Sequence, residues 1–163
     1  MPWFKIGLTQ SPSWRGRPPQ ILPEDIDVLW RFLDREGAKY ERLHYNLAMT
    51  VLSPEDIPGT EKIKEMWLYA ISKRVDIAAE TKTEIHLIEV TRRAGVRSLG
   101  QAILYKRLYE ICRPFHKPAK TMIVCDYADL DVLSVARAYK VEVVELEPRP
   151  LEMRIEQLAE ELR

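Results

Sequence analysis

Two carboxylates stand out by type and spacing. Asp76 lies in the run Arg74-Val75-Asp76-Ile77-Ala78, and Glu89 in Leu87-Ile88-Glu89-Val90-Thr91. Both runs are short and apolar-rich, as strands are, and the polar Thr81-Lys82-Thr83 between them reads as a turn. A hairpin folded about Lys82 and Thr83 pairs residues whose numbers sum to 165, which sets Asp76 opposite Glu89. Directly opposed residues share a face, with Cβ atoms about 5 Å apart. Like charges held that close repel unless a cation sits between them, and a divalent metal is the usual partner of carboxylate oxygens. Such an ion polarises a phosphate and generates hydroxide from water.

The same register sorts the neighbours. Val75 opposes Val90 and Ile77 opposes Ile88, which makes that face core, and His86 on it reads as a packed core histidine. The carboxylate face also carries Ala78, Ile85 and Leu87, so it is partly covered too. A sheet apolar on both faces belongs between layers of helix. The acidic pair is therefore expected at the rim of a covered sheet, with Arg74 opposite Thr91 on the same face.

The stretch from Arg74 to Tyr105 resembles the PD-(D/E)XK nuclease superfamily. Its pattern is an Asp ending one strand and Glu-x-Lys on the next. Ser98-Leu99-Gly100-Gln101-Ala102-Ile103-Leu104-Tyr105 is similar to the Gln-x-x-x-Tyr helix of the branch that holds recombination-type exonucleases. The resemblance implies Mg²⁺ or Mn²⁺ on Asp76 and Glu89, with Gln101 and Tyr105 facing the scissile strand. It departs at one position: Thr91 stands where the family has lysine. A lysine ammonium would orient the attacking water and offset developing charge, whereas a threonine hydroxyl carries none. Arg74 is the nearest substitute in the register, although arginine clamps phosphate better than it moves protons.

Net charge is zero, but its distribution is uneven: residues 91–120 carry +7, residues 121–163 carry −5 and residues 1–90 carry −2. Arg92, Arg93, Arg97, Lys106, Arg107 and Arg113 follow directly on the acidic pair, as a groove for a polyanion would require. DNA is expected ahead of RNA. The competing reading of these cations is a solvated helix face, with Lys106 and Glu110 as a local pair. Cys112 and Cys125 lack zinc spacing and read as reduced, buried thiols. There is no long apolar run and no leader, so a cytoplasmic protein without a membrane span is expected. One asparagine, four glutamines and eleven prolines lean towards a heat-adapted source.

The elements that must position these residues read as follows. Residues 1–22, rich in proline and carrying Trp3, Phe4 and Trp14, form an extended arm that wraps the domain or contacts a partner. Pro23-Glu24-Asp25 opens a helix with an apolar stripe of Ile26, Leu29, Trp30 and Leu33, stopped by Gly37. Tyr40 to Leu52 reads as extended, and Glu61 to Ile71 as a short helix or strand entry. After the hairpin, Ser98 caps a helix running to Cys112. Thr121–Cys125 is a buried strand, a helix follows Asp129 or Asp131, and Val141–Leu146 is the next strand, giving a parallel strand–helix–strand crossover. Leu151, Ile155, Leu158 and Leu162 stripe a terminal helix, docked or used between subunits.

These elements predict an α/β fold, a three-layer restriction-endonuclease-like core with a mixed central sheet flanked by helices. The arm is 1–22, the core domain 23–147 and the terminal amphipathic helix 148–163. The expected function is a Mg²⁺- or Mn²⁺-dependent nucleic-acid phosphodiesterase with an atypical site. The rival is a non-enzymatic descendant: a DNA-binding or protein-binding module, of the kind viral and mobile-element components use, that kept the fold and lost the lysine. A homodimer or protein partner would engage through the arm or the terminal helix.

Overall fold

The computed structural model describes residues 1–163. A seven-stranded mixed sheet forms the middle layer. Its antiparallel half contains β1 (Trp3–Lys5), β2 (Thr9–Gln10), β3 (Arg42–Thr50) and β4 (Lys73–Glu80). Its parallel half contains β5 (Ile85–Val90), β7 (Ala119–Cys125) and β9 (Val141–Glu145), while β6 (Arg93–Ala94) and β8 (Tyr127–Ala128) pair as a small second sheet. The main order is β1-β3-β4-β5-β7-β9, with β2 also on β3. Of the two alternatives expected for the N-terminal arm, its first ten residues take the one that wraps the domain: β1 and β2 continue the sheet along the outer edge of β3.

Helix α1 (Pro23–Glu36) covers one face and α3 (Val96–Cys112) and α4 (Leu130–Ala138) the other, with α2 (Glu61–Ile71) beside β3 and α5 (Leu151–Glu161) at the C-terminal end. Proline at its first position and acids in its first turn start α1, as expected. Its buried stripe is rotated from the expected one, to Val28, Leu29, Phe32 and Leu33. Ile26 and Trp30 lie at the margin instead, and Trp30 meets the edge of Trp14 at 6.4 Å. Helix α2 has the boundaries read from the sequence and is capped by Thr60, whose hydroxyl accepts from the Ile63 N–H. Ser98 does not cap α3: Gly95 does, and Ser98 is buried within the first turn. The crossover is real, since β7 and β9 run parallel on either side of α4.

The hairpin register is the expected one: Ile77 pairs with Ile88 and Ala78 with Leu87, closed by a turn in which Thr81 N–H donates to the Glu84 carbonyl. The strict two-residue alternation of faces fails next to it. Tyr45 and Ile77 pack under α1, while Leu47 and Val75 pack under α3. In β3 the reversal comes at Asn46, which has φ +57° in the middle of the strand. The β3–β4 ladder skips Asn46 and Asp76, and beyond that gap Val75 lies with Leu47 on the α3 side and not with Ile77.

Gly7 bridges β1 and β2 over this kink. A Cβ on it would lie 2.4 Å from the Tyr45 carbonyl oxygen, so only glycine lets the backbones approach. Gly7→Ala is expected to cost about 1–3 kcal/mol. At roughly 2–4 °C per kcal/mol for a domain of this size, calorimetry would register it as a lower melting temperature, and an unchanged one would refute the close approach.

Candidate active site

Asp76 sits where β4 and β5 part. The ladder ends at Ile77–Ile88, and one step further Val90 N–H donates 2.9 Å to the Asp76 carboxylate instead of to a strand carbonyl. A side chain has replaced a backbone acceptor, which splays the strands and opens a cleft of about 390 Å³. Asp76 and Glu89 share it with Arg74, Thr91, Arg97 and Gln101. Gln20, Ile21 and Leu22, just before α1, supply part of another wall.

The electrostatics follow from burial. Both carboxyls are pushed well above the ordinary carboxylate range, chiefly by removal from water, and Glu89 is raised further by the negative charge of Asp76. The Val90 N–H favours ionised Asp76, and Arg97 favours ionised Glu89. Glu89 Oε2 is buried with no hydrogen-bond partner, and so is Arg74 Nε. Native folds seldom leave such atoms unsatisfied. No three His, Cys, Asp or Glu side chains converge closely enough to hold one ion together. The donors available to a cation are thus two carboxylates, a set that suits Mg²⁺, which keeps waters and phosphate oxygens as its other ligands.

A raised folded-state pKa means the fold favours the protonated pair. That contribution is complete at pH values below the ordinary carboxylate range, and it is lost as pH rises through the raised folded values. In the absence of divalent metal, wild type should therefore lose stability relative to Glu89→Gln as pH rises from about 4 to 9, and Glu89→Gln should be the more stable protein at neutral pH, by an amount on the order of 1–3 kcal/mol. Urea titrations in chelator at several pH values measure this. Parallel curves for the two proteins would rule it out.

The other expected site residues separate into different roles. Gln101 lines the cleft, but Tyr105 does not: it is buried beneath, accepting from Gln101 Nε2 at 3.1 Å and donating to the Arg74 carbonyl at 2.9 Å. Tyr105 is a strut between α3 and β4. Burial and the nearby carboxylates push its hydroxyl above the ordinary tyrosine range. Thr91 is not paired with Arg74, because its N–H follows β7 and donates to the Val124 carbonyl, and its hydroxyl donates to the Arg93 carbonyl. Arg74 lies over the Tyr69 ring at 4.3 Å and donates to the Tyr69 carbonyl.

The six cations expected as one groove are divided. Arg97 alone of the six faces the acidic cleft. Arg92 pairs with Asp126, and Arg93 with Asp129 and Glu161. Lys106 and Arg113 line a separate cleft with His116 and Lys117, and Arg107 pairs with Glu110. Sequence reading missed Asp25, which also lines the acidic cleft and accepts from the Arg92 N–H at 3.0 Å. Burial raises its carboxyl above the usual range. As an acid in a first helical turn, it was indistinguishable from a residue complementing the helix dipole. Arg97 carried a clearer signal, since a cation in the first turn of α3 opposes the dipole and needs a compensating anion.

No family model matches this chain, and no curated protein or solved structure matches it.

Proposed function

We propose that the chain is a Mg²⁺- or Mn²⁺-dependent nucleic-acid phosphodiesterase of the PD-(D/E)XK type, acting on DNA in preference to RNA. The observation that carries the reading is the buried, unpartnered Glu89 Oε2 beside Asp76, in a cleft also lined by Arg74 and Arg97. Asp76 and Glu89 would hold the cation. When bound, such an ion polarises the phosphate and lowers the pKa of its water. Arg97 and Arg74 offer guanidinium groups to phosphate oxygens. Gln101 supplies an amide on the same wall for the nucleic-acid backbone, and Tyr105 holds α3 at its distance from β4. The restriction-endonuclease-like identity of the core is part of this proposal.

One observation favours a second reading, a binding module without catalysis. No lysine lines the cleft, and the Thr91 hydroxyl is turned to the Arg93 carbonyl. Incubation of the protein with plasmid and with linear single- and double-stranded DNA and RNA, with Mn²⁺, separates the two. Wild type is expected to nick or shorten DNA, and Asp76→Asn to be inert. Under either reading Mn²⁺ at about 100 times its Kd should stabilise wild type by about 2.7 kcal/mol, and Asp76→Asn should lose the shift. No cleavage together with no thermal shift would end the metal-site reading.

A further inference from the structure

Helix α5 is attached to the domain by its polar side. Buried Arg154 donates to the carbonyls of Arg149 and Ala128 and pairs with Glu145 at 2.9 Å, Gln157 donates to the Tyr127 hydroxyl, and Glu161 pairs with Arg93 at 2.6 Å. This anchoring leaves the apolar stripe unused. Leu151, Ile155, Leu158 and Leu162 are 55%, 56%, 47% and 88% exposed. Four aliphatic side chains in one line, each about half in water or more, mark an interaction surface.

We infer that this stripe is a dimerisation seam in which α5 packs antiparallel against α5 of a second copy. The spacing of the stripe, four then three then four residues, is that of a knobs-into-holes seam and reads the same from both ends. About a two-fold axis, Leu151 meets the second copy's Leu162 and Ile155 meets its Leu158, as an isologous contact requires. Charges agree. Glu152 borders the stripe on the side away from the domain, and the antiparallel arrangement brings Arg163 of the second copy beside it; neither residue has an ion-pair partner within the fold. Ala159, on the same border, allows close approach. The outer face of α5 bears Glu152, Glu156 and Glu160, which repels both a nucleic-acid backbone and an anionic membrane. Leu130 of α4 shares a cleft with Leu158 and extends the apolar surface.

Sedimentation equilibrium of the full chain from about 1 μM to about 1 mM is expected to show a monomer–dimer transition, and Ile155→Glu, with an unchanged circular dichroism spectrum, to remain monomeric. Glu152→Arg and Arg163→Glu should each weaken the dimer, and the two together should restore it. A wild type that stays monomeric throughout the range, or a dimer that survives both Ile155→Glu and Leu162→Glu, would overturn the inference.

Discussion

Thr91→Lys is expected to raise Mn²⁺-dependent cleavage of DNA about a hundredfold over wild type, the size of effect that one preorganised donor supplies. In free energy that is about 2.7 kcal/mol of transition-state stabilisation. The position lines the same cleft as Asp76 and Glu89, and a lysine stem has the length and freedom that threonine lacks. Its ammonium would also favour the ionised pair, offsetting part of the burial that holds both carboxyls above their ordinary range. Steady-state rates on a fluorescent duplex measure the gain. Arg97→Ala in the wild-type background should act in the opposite sense, removing the guanidinium that favours ionised Glu89. If Thr91→Lys binds Mn²⁺ normally yet cleaves nothing, the cleft is not a phosphodiesterase site.

The second large effect is on stability. Arg154→Ala is expected to cost about 3–5 kcal/mol, because it strands a buried carboxylate and two carbonyls rather than merely deleting a bond. Arg154 is 9% exposed and Glu145 scarcely more, and Glu145 also accepts the Ala128 N–H at 2.9 Å. Chemical denaturation should show the loss. A cost below about 1 kcal/mol, the range of a surface pair, would mean that α5 is held some other way.

The parts of the fold readable from sequence were those specified locally. The hairpin register needs only a turn and two short runs. The bounds of α2 were legible though its type was left between helix and strand entry, and the β7–α4–β9 unit showed itself by a buried run, a helix and a second run. The acidic pair came with the hairpin. Features that depend on distant backbone were not readable. Residues 1–22 contain prolines, glycines and aromatics with no strand period, yet three- and two-residue segments of them complete the sheet because β3 presents open hydrogen-bonding groups to them. The face reversal at Asn46 is a single backbone torsion, which an alternation rule cannot foresee. The basic segment looked continuous because α3 is continuous in sequence. A helix distributes its residues around its axis, so Arg97 and Lys106 serve different clefts. Asp25 reached the site from α1, far from the motif in sequence.

The short strands on β3 also have a colloidal consequence. Strand β3 is nine residues long and, apart from Arg42, wholly buried. With β1 and β2 stripped away, its outer side would offer a long row of free N–H and carbonyl groups flanked by apolar side chains, the surface that recruits strands from other molecules into aggregates. Strand β9, at the opposite margin, is five residues long and carries Glu142 and Glu145, so it protects itself by brevity and charge. The N-terminal ten residues thus act as a covering strip for the one margin that has no such defence.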